Sequence, residues 1–186
     1  LPAPAQLKPT APVYSDSGQS CPLVWSVSIE FRGATLKRFN PLPYLLQLLL
    51  EVHGLRGQSG ALYSVPAELY SNALEHGVLG LDSSLKRDAA GFARYYEQRN
   101  TRLEALQDGY VRVHLQITPQ EQGGCLVIRV EDSGKGFDVA RVMERPLENV
   151  RLSGRGVSLV RQLGRNASWS DEGRSARVEF FWEVQA

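Results

Sequence analysis

A carboxylate and an amide four residues apart form the most chemically informative pair in this sequence. Glu68 and Asn72 occur in the run ELYSNALEHG, within an apolar segment that begins near Leu62. Apolar residues recur in that segment at steps of three and four, which predicts a helix that buries one stripe. Residues four apart on a helix point in nearly the same direction, so the two side chains would lie together. An amide oxygen can ligate a hard cation beside a carboxylate that acts as a general base, although a solvated polar stripe would have the same pattern.

The first of two glycine-rich loops follows a predicted strand and has the sequence EDSGKGF. It contains Asp132, whose carboxylate can accept hydrogen bonds from an exocyclic amine. Gly134 and Gly136 occupy alternate positions, where the lack of a side chain lets a ligand approach the backbone closely. An ordinary turn would use the same residues, so this loop alone leaves both interpretations open.

The second glycine-rich loop leads directly into a predicted helix that ends near Gly164. Its sequence, SGRGVSLV, contains Gly154, Arg155 and Gly156. The free backbone N–H groups and the dipole at such a helix start favour an anion, including a phosphate. Between the two loops, residues 139–152 are long enough to close over a nucleotide as a lid.

The composition of the 186-residue chain is that of an ordinary globular protein. With 42% hydrophobic residues, it is expected to form one domain with a tail. Its 21 basic and 20 acidic residues give no basis for bulk attraction to nucleic acid or to a membrane. Cys21 and Cys125 lack metal-ligand spacing, so the reduced cytoplasm is the expected compartment. The longest apolar run, residues 44–52, is too short to span a bilayer.

The order of the predicted elements indicates the fold class. Residues 1–22 contain five prolines and are predicted to be a linker, and residues 23–186 form the domain. A first residue other than Met suggests a fragment of a longer protein. Helices grouped apart from mainly antiparallel strands predict an α/β (α+β) two-layer sandwich with a mixed sheet and helices on one face. The predicted strands are 23–31, 110–118, 125–131, 167–170 and 176–184. The predicted helices are 41–53, about 62–77, 83 or 84 to about 107, and one that follows the second glycine-rich loop and ends near Gly164.

The helix that begins at Pro41 is unusually rich in leucine. Little polar surface remains between Pro41 and Gly54. Two interpretations stay open. Either this helix lies within the core, or a second subunit covers part of it and the protein is a homodimer.

Three sequence boxes in order resemble a known family. Glu-x-x-x-Asn, Asp-x-Gly-x-Gly-Phe and Gly-Arg-Gly-x-x-Leu-Val resemble the N, G1 and G2 boxes of the GHKL (Bergerat) ATP-binding fold of gyrase, Hsp90, MutL and histidine kinases. The form Asn-Ala-x-x-His-Gly is similar to bacterial anti-sigma-factor serine kinases. The long insertion that follows resembles the kinase domain fused behind receiver and PP2C-type phosphatase domains in some response regulators. The resemblance covers residues 23–182.

This resemblance implies a role for each matching position, with ATP and Mg²⁺ as cofactors. Glu68 would be the catalytic base on the acceptor hydroxyl, Asn72 would hold Mg²⁺ on the ATP phosphates, and Asp132 would bind the adenine amine. The remaining implied nucleotide-binding residues lie in the two loops: Gly134, Gly136, Phe137, Gly154, Arg155 and Gly156. His76 matches the family, although a capping or packing role is open for it. The sequence departs from the family after Gly173, where Arg174 replaces the usual threonine.

Two functions of different classes follow from these observations. The first is an ATP-dependent serine/threonine protein kinase that phosphorylates a STAS-type anti-sigma-factor antagonist in a partner-switching pathway. The second is a nucleotide-gated binding module that sequesters a protein partner, either the antagonist or a sigma or anti-sigma factor, without significant kinase activity. The retained Glu68 favours the kinase, and the departure at Arg174 favours the module. If Glu68 is not the base, Glu75 is the next carboxylate to consider.

Overall fold

A computed structural model describes residues 25–52, 54–86, 88–140 and 155–183 of the chain. Within these ranges, five strands form one open sheet in the order β1-β2-β3-β5-β4. The strands are β1 Trp25–Arg32, β2 Tyr110–Gln120, β3 Gly123–Asp132, β4 Arg165–Ser170 and β5 Ser175–Glu183. The α-helices are α1 Ala34–Arg38, α2 Leu42–Leu50, α3 Ser59–Asn72, α4 Ala89–Ala105 and α5 Arg155–Leu163.

The sheet has one apolar face and one polar face because side chains alternate along each strand. In β2, Val111, Val113 and Leu115 are buried, whereas Arg112 on the opposite face pairs with Glu30 of β1 and Glu131 of β3. The apolar face shares one core with the helices. The chain is therefore an α/β two-layer sandwich, as predicted. All four strand pairings among the described residues are antiparallel, so the prediction of a mixed sheet is wrong for this part of the chain.

Helix α3 forms where the period of apolar residues predicted it. Leu62, Val65 and Leu69 are buried on one stripe, and the stripe continues to Ala73 beyond the end of the helix. The chain does not leave the helical path there but widens into a π-helical segment, Ala73–Val78. Such segments are rare and occur frequently at functional sites.

Helix α2 begins after Pro41 and buries only one of its faces. Leu45 and Leu49 lie in the core, whereas Tyr44 and Leu48 are 64% and 38% exposed. The interpretation of α2 as a core helix is correct for the first face. The second face remains exposed in the chain.

The short helix α1 was not predicted, because five residues are too few to show a helical period. The hairpin of β2 and β3 was predicted, but its turn is tighter than expected, since Gln120 pairs with Gly123. The predicted linker at residues 1–22 lies outside the described residues, as does most of the predicted lid. Within the described ranges, no helix has both the length and the apolar character needed to cross a membrane.

Candidate functional site

The predicted pair on α3 is in contact. Asn72 Nδ2 donates a hydrogen bond to Glu68 Oε1 over 3.0 Å, and both side chains are half-buried. The spacing of four residues on a regular helix accounts for this geometry. The bond leaves Asn72 Oδ1 and Glu68 Oε2 without a hydrogen-bond partner among the described residues, so both oxygens can accept from, or ligate, something else.

The start of α5 lies directly against this pair. A methyl group built on Gly156 would overlap with the carboxylate of Glu68, so only glycine fits there without movement. Gly156 is the second residue of α5, where backbone N–H groups lack partners within the helix. A carboxylate, an amide and a helix start therefore meet in one place.

Asp132 ends β3 on the helix side of the sheet and is 9% exposed. Its Oδ1 accepts a hydrogen bond from the Gly134 backbone N–H over 2.8 Å, and its own N–H donates to the Arg174 carbonyl over 3.0 Å. Burial raises the pKa of Asp132 to about 6, although the bond from Gly134 acts in the opposite direction. At neutral pH this carboxyl group is mostly ionised and can accept a hydrogen bond.

The Asp132 carboxylate rests on the π-helical segment. A methyl group built on Gly77 would overlap with that carboxylate, and one built on Gly134 would overlap with the Gly77 backbone. The chain thus brings two glycines together so that a buried carboxylate can lie between a helix end and a strand end. The family resemblance implies that Gly134 lets a ligand come close to the backbone. In the structure, the absence of a side chain at Gly134 also lets the Gly77 backbone come close.

Gly136 and Phe137 contact the turn between β4 and β5. Gly136 has a φ of 72°, and a methyl group on it would overlap with the Glu172 carbonyl. The Phe137 N–H donates to that carbonyl over 2.8 Å, and its ring packs against Gly173. The G1-like loop is therefore fixed to the segment where the family departure occurs.

The structure describes one of the predicted phosphate-binding residues only in its backbone and another not at all. Gly154 lies outside the described residues, and for Arg155 only the backbone, the first residue of α5, is described. Their predicted contact with phosphate stays a prediction. The first described turn of α5 is consistent with the predicted helix start.

Glu75 contacts α4, whereas Glu68 contacts the start of α5. Its Oε1 accepts from Arg99 Nε over 2.8 Å, and its Oε2 accepts from the Tyr95 hydroxyl over 2.6 Å, both on α4. Burial raises the pKa of Glu75, but the bond from Tyr95 and the charges of Lys86 and Arg99 outweigh burial and hold the pKa below its usual value. Glu75 is therefore a poor candidate for a base, and sequence periodicity could not reveal partners twenty residues away.

His76 also has a local role. Its Nδ1 lies 2.8 Å from the Leu81 carbonyl, and its ring lies beside Tyr95. The capping interpretation fits these contacts.

Comparison with known proteins adds no family assignment. No protein-family model matches the chain, and no curated protein matches it.

Proposed function

We propose that the chain is a cytoplasmic, Bergerat-fold, ATP-dependent serine/threonine protein kinase that phosphorylates a STAS-type anti-sigma-factor antagonist. One observation carries the proposal. The three sequence boxes, far apart in the chain, converge along α3 and its π-helical extension: Glu68, which is bonded to Asn72, touches Gly156, and Asp132 touches Gly77. The antiparallel sheet with helices on one face supports the same fold.

The residues present fit Mg²⁺ bound together with ATP. Asn72 offers an amide oxygen, which is a suitable ligand for a hard cation. Among the described residues, no cluster of three or more His, Cys, Asp or Glu side chains could hold a metal. A single protein ligand suits Mg²⁺ in phosphoryl transfer, because phosphate oxygens and water complete its octahedron.

The residues also fit an adenine base near Asp132. Asp132 Oδ1 is already used by Gly134, and Oδ2 has no hydrogen-bond partner among the described residues. A buried carboxylate oxygen with unused accepting capacity gains by binding an amine. The Gly134 N–H fixes the carboxylate through Oδ1, and the carboxylate lies against the Gly77 backbone.

In this mechanism the protein contributes mainly by positioning the reacting groups. ATP bound with Mg²⁺ would supply the phosphoryl group. Neutralisation of the charge on the phosphates would account for much of the rate enhancement. Glu68, oriented by the hydrogen bond from Asn72, holds the acceptor hydroxyl and takes its proton at Oε2. The start of α5 lies within reach of the same carboxylate, so its N–H groups would face the transferred phosphate.

A nucleotide-gated binding module, acting on an antagonist, a sigma factor or an anti-sigma factor, is the second candidate. The observation that favours it is Arg174, whose guanidinium pairs with Asp171 over 2.6 Å where the family usually has threonine. Arg174 also accepts the Asp132 N–H through its carbonyl. A change at this position therefore acts on the adenine side of the site without altering Glu68.

Incubation of the protein with labelled ATP, Mg²⁺ and candidate STAS proteins tests the proposal. A kinase transfers label to a serine or threonine of the STAS protein, and Glu68→Gln abolishes most of that transfer. A module binds the partner only in one nucleotide state and leaves it unlabelled. Absence of ATP binding by calorimetry would reject both candidates.

A further inference from the structure

Several polar contacts join the π-helical segment to α4 and to the residue Lys86 that precedes α4. Beyond Tyr95 and Arg99, Lys86 Nζ lies 3.4 Å from Glu75 Oε2 and 4.0 Å from the centre of the Tyr95 ring. Arg102 Nη1 donates to the carbonyls of Leu79 and Gly80, at 2.9 and 2.6 Å. Helix α4 thus holds the chain at the beginning of this segment and immediately after it.

The segment needs such support. A π-helical turn is rare because its backbone geometry is less favourable than that of an α-helix, and it persists where tertiary contacts determine it. Glu75 has side-chain exposure of only 14%, and each of its carboxylate oxygens accepts a hydrogen bond. A half-buried carboxylate with charged and hydroxyl donors is costly to displace.

The opposite side of the same turn contacts the candidate nucleotide site. Gly77 follows Glu75 by two residues, and its backbone leaves no room for a methyl group beside Asp132. The Leu81 N–H donates to the Glu75 carbonyl over 2.8 Å, which closes the turn around Gly77. A shift of Glu75 would therefore move Gly77 and, with it, the Asp132 carboxylate.

We propose that Glu75 is a positioning residue through which α4 sets the place of Asp132 and thereby the preference of the site for an adenine base. The inference rests on the proposed function, because the adenine role of Asp132 belongs to it. Tyr95 and Arg99 hold the carboxylate of Glu75, and Gly77 transmits its position. Discrimination between bases with and without the exocyclic amine then depends on a helix that supplies none of the nucleotide-binding residues proposed above.

The first test compares ADP with inosine diphosphate, which lacks that amine, by calorimetry. The variants are Tyr95→Phe, which removes one hydroxyl, and Arg99→Met. Arg94→Met is the matched control, because Arg94 is an exposed residue of α4 that forms no side-chain hydrogen bond or ion pair with the described residues. We expect both test variants to reduce the preference for ADP by about tenfold, the scale of a lost charge-assisted hydrogen bond, with little change for inosine diphosphate. An equal loss for both nucleotides, or an unchanged preference, would overturn the proposal.

The second test needs no nucleotide. Amide hydrogen exchange at Gly77 and Gly134 reports local opening of the turn under Asp132. Both amides should exchange about tenfold faster in Tyr95→Phe and Arg99→Met than in wild type, and Arg94→Met should leave them unchanged. If wild-type protein binds neither nucleotide, the proposed function fails while this measurement still decides the positioning. Unchanged exchange in both variants would reject the role of Glu75.

Discussion

Two carboxylates seven residues apart on one helical path have opposite surroundings. Among the described residues, Glu68 has one side-chain hydrogen bond, from a neighbour on its own helix, and it faces the start of α5. Glu75 has partners on both oxygens, all of them from outside its own turn. A carboxylate oxygen without a partner can do chemistry, whereas a carboxylate with donors on both oxygens fixes structure.

The difference arises from what packs against each turn. Glu68 lies where α3 is regular and the neighbouring backbone is glycine, and its second oxygen has no hydrogen-bond partner among the described residues. Glu75 lies where the helix widens, and it contacts the Tyr95 hydroxyl and Arg99 of α4 together with Lys86, which precedes α4. Replacement of each carboxylate should therefore have different consequences.

The largest expected effect is on catalysis at Glu68. Glu68→Gln keeps the size and the helix propensity but cannot take a proton, so phosphoryl transfer to a STAS protein should fall by about 10² to 10⁴-fold. ATP affinity, measured by calorimetry, should change little. Glu97→Gln, an exposed change on α4, is the control and should retain full activity. Equal transfer rates for wild type and Glu68→Gln would remove Glu68 from the role of base.

A pair of glycine variants tests how closely Glu68 packs against α5. Gly156→Ala forces Glu68 to move and should destabilise the protein by about 1 to 3 kcal/mol, the usual cost of overpacking. Gly60→Ala on α3 meets no atom within 4 Å and should stabilise it by up to about 1 kcal/mol through helix propensity. Urea denaturation measures both. Similar changes in the two variants would mean that Glu68 does not press on α5.

The buried carboxylate of Asp132, beside the π-helical segment, should lower the free energy of unfolding at neutral pH. A carboxyl group whose pKa is about 6 when folded and 3.8 when unfolded lowers the free energy of unfolding above both values, and this penalty vanishes as the pH falls below about 4. Asp132→Asn should therefore be more stable than wild type by on the order of 2 kcal/mol at pH 7 and nearly equal to it at pH 4. Denaturation curves at the two pH values test this. A constant difference between them would contradict the burial effect.

The smallest expected effect concerns the metal. Asn72→Ala should weaken ATP binding by about tenfold in the presence of Mg²⁺ and far less in its absence. Ser71→Ala, next to it on α3, is the control. The same loss with and without Mg²⁺ would place Asn72 in a structural role like that of Glu75.

Local pattern predicted much of this architecture. All five described strands were predicted, the first three from alternation, and helical spacing predicted the contact between Glu68 and Asn72. The π-helical segment was not predicted, because its residues continue the same apolar stripe and no periodicity distinguishes a widened turn. The role of Glu75 depends on Arg99, twenty-four residues later, and contacts of that kind follow from packing rather than from spacing.

Five glycines in the candidate site have a consequence for how the sequence can change over generations. At Gly77, Gly134, Gly136, Gly156 and Gly173, any added side chain meets backbone, a carboxylate or an aromatic ring. Any residue that replaces one of these glycines is larger, so nearly all such mutations are damaging. The exposed surface of α4, by contrast, accepts many replacements. Lineages of this protein should therefore diverge in the surfaces they offer to partners long before the site itself changes.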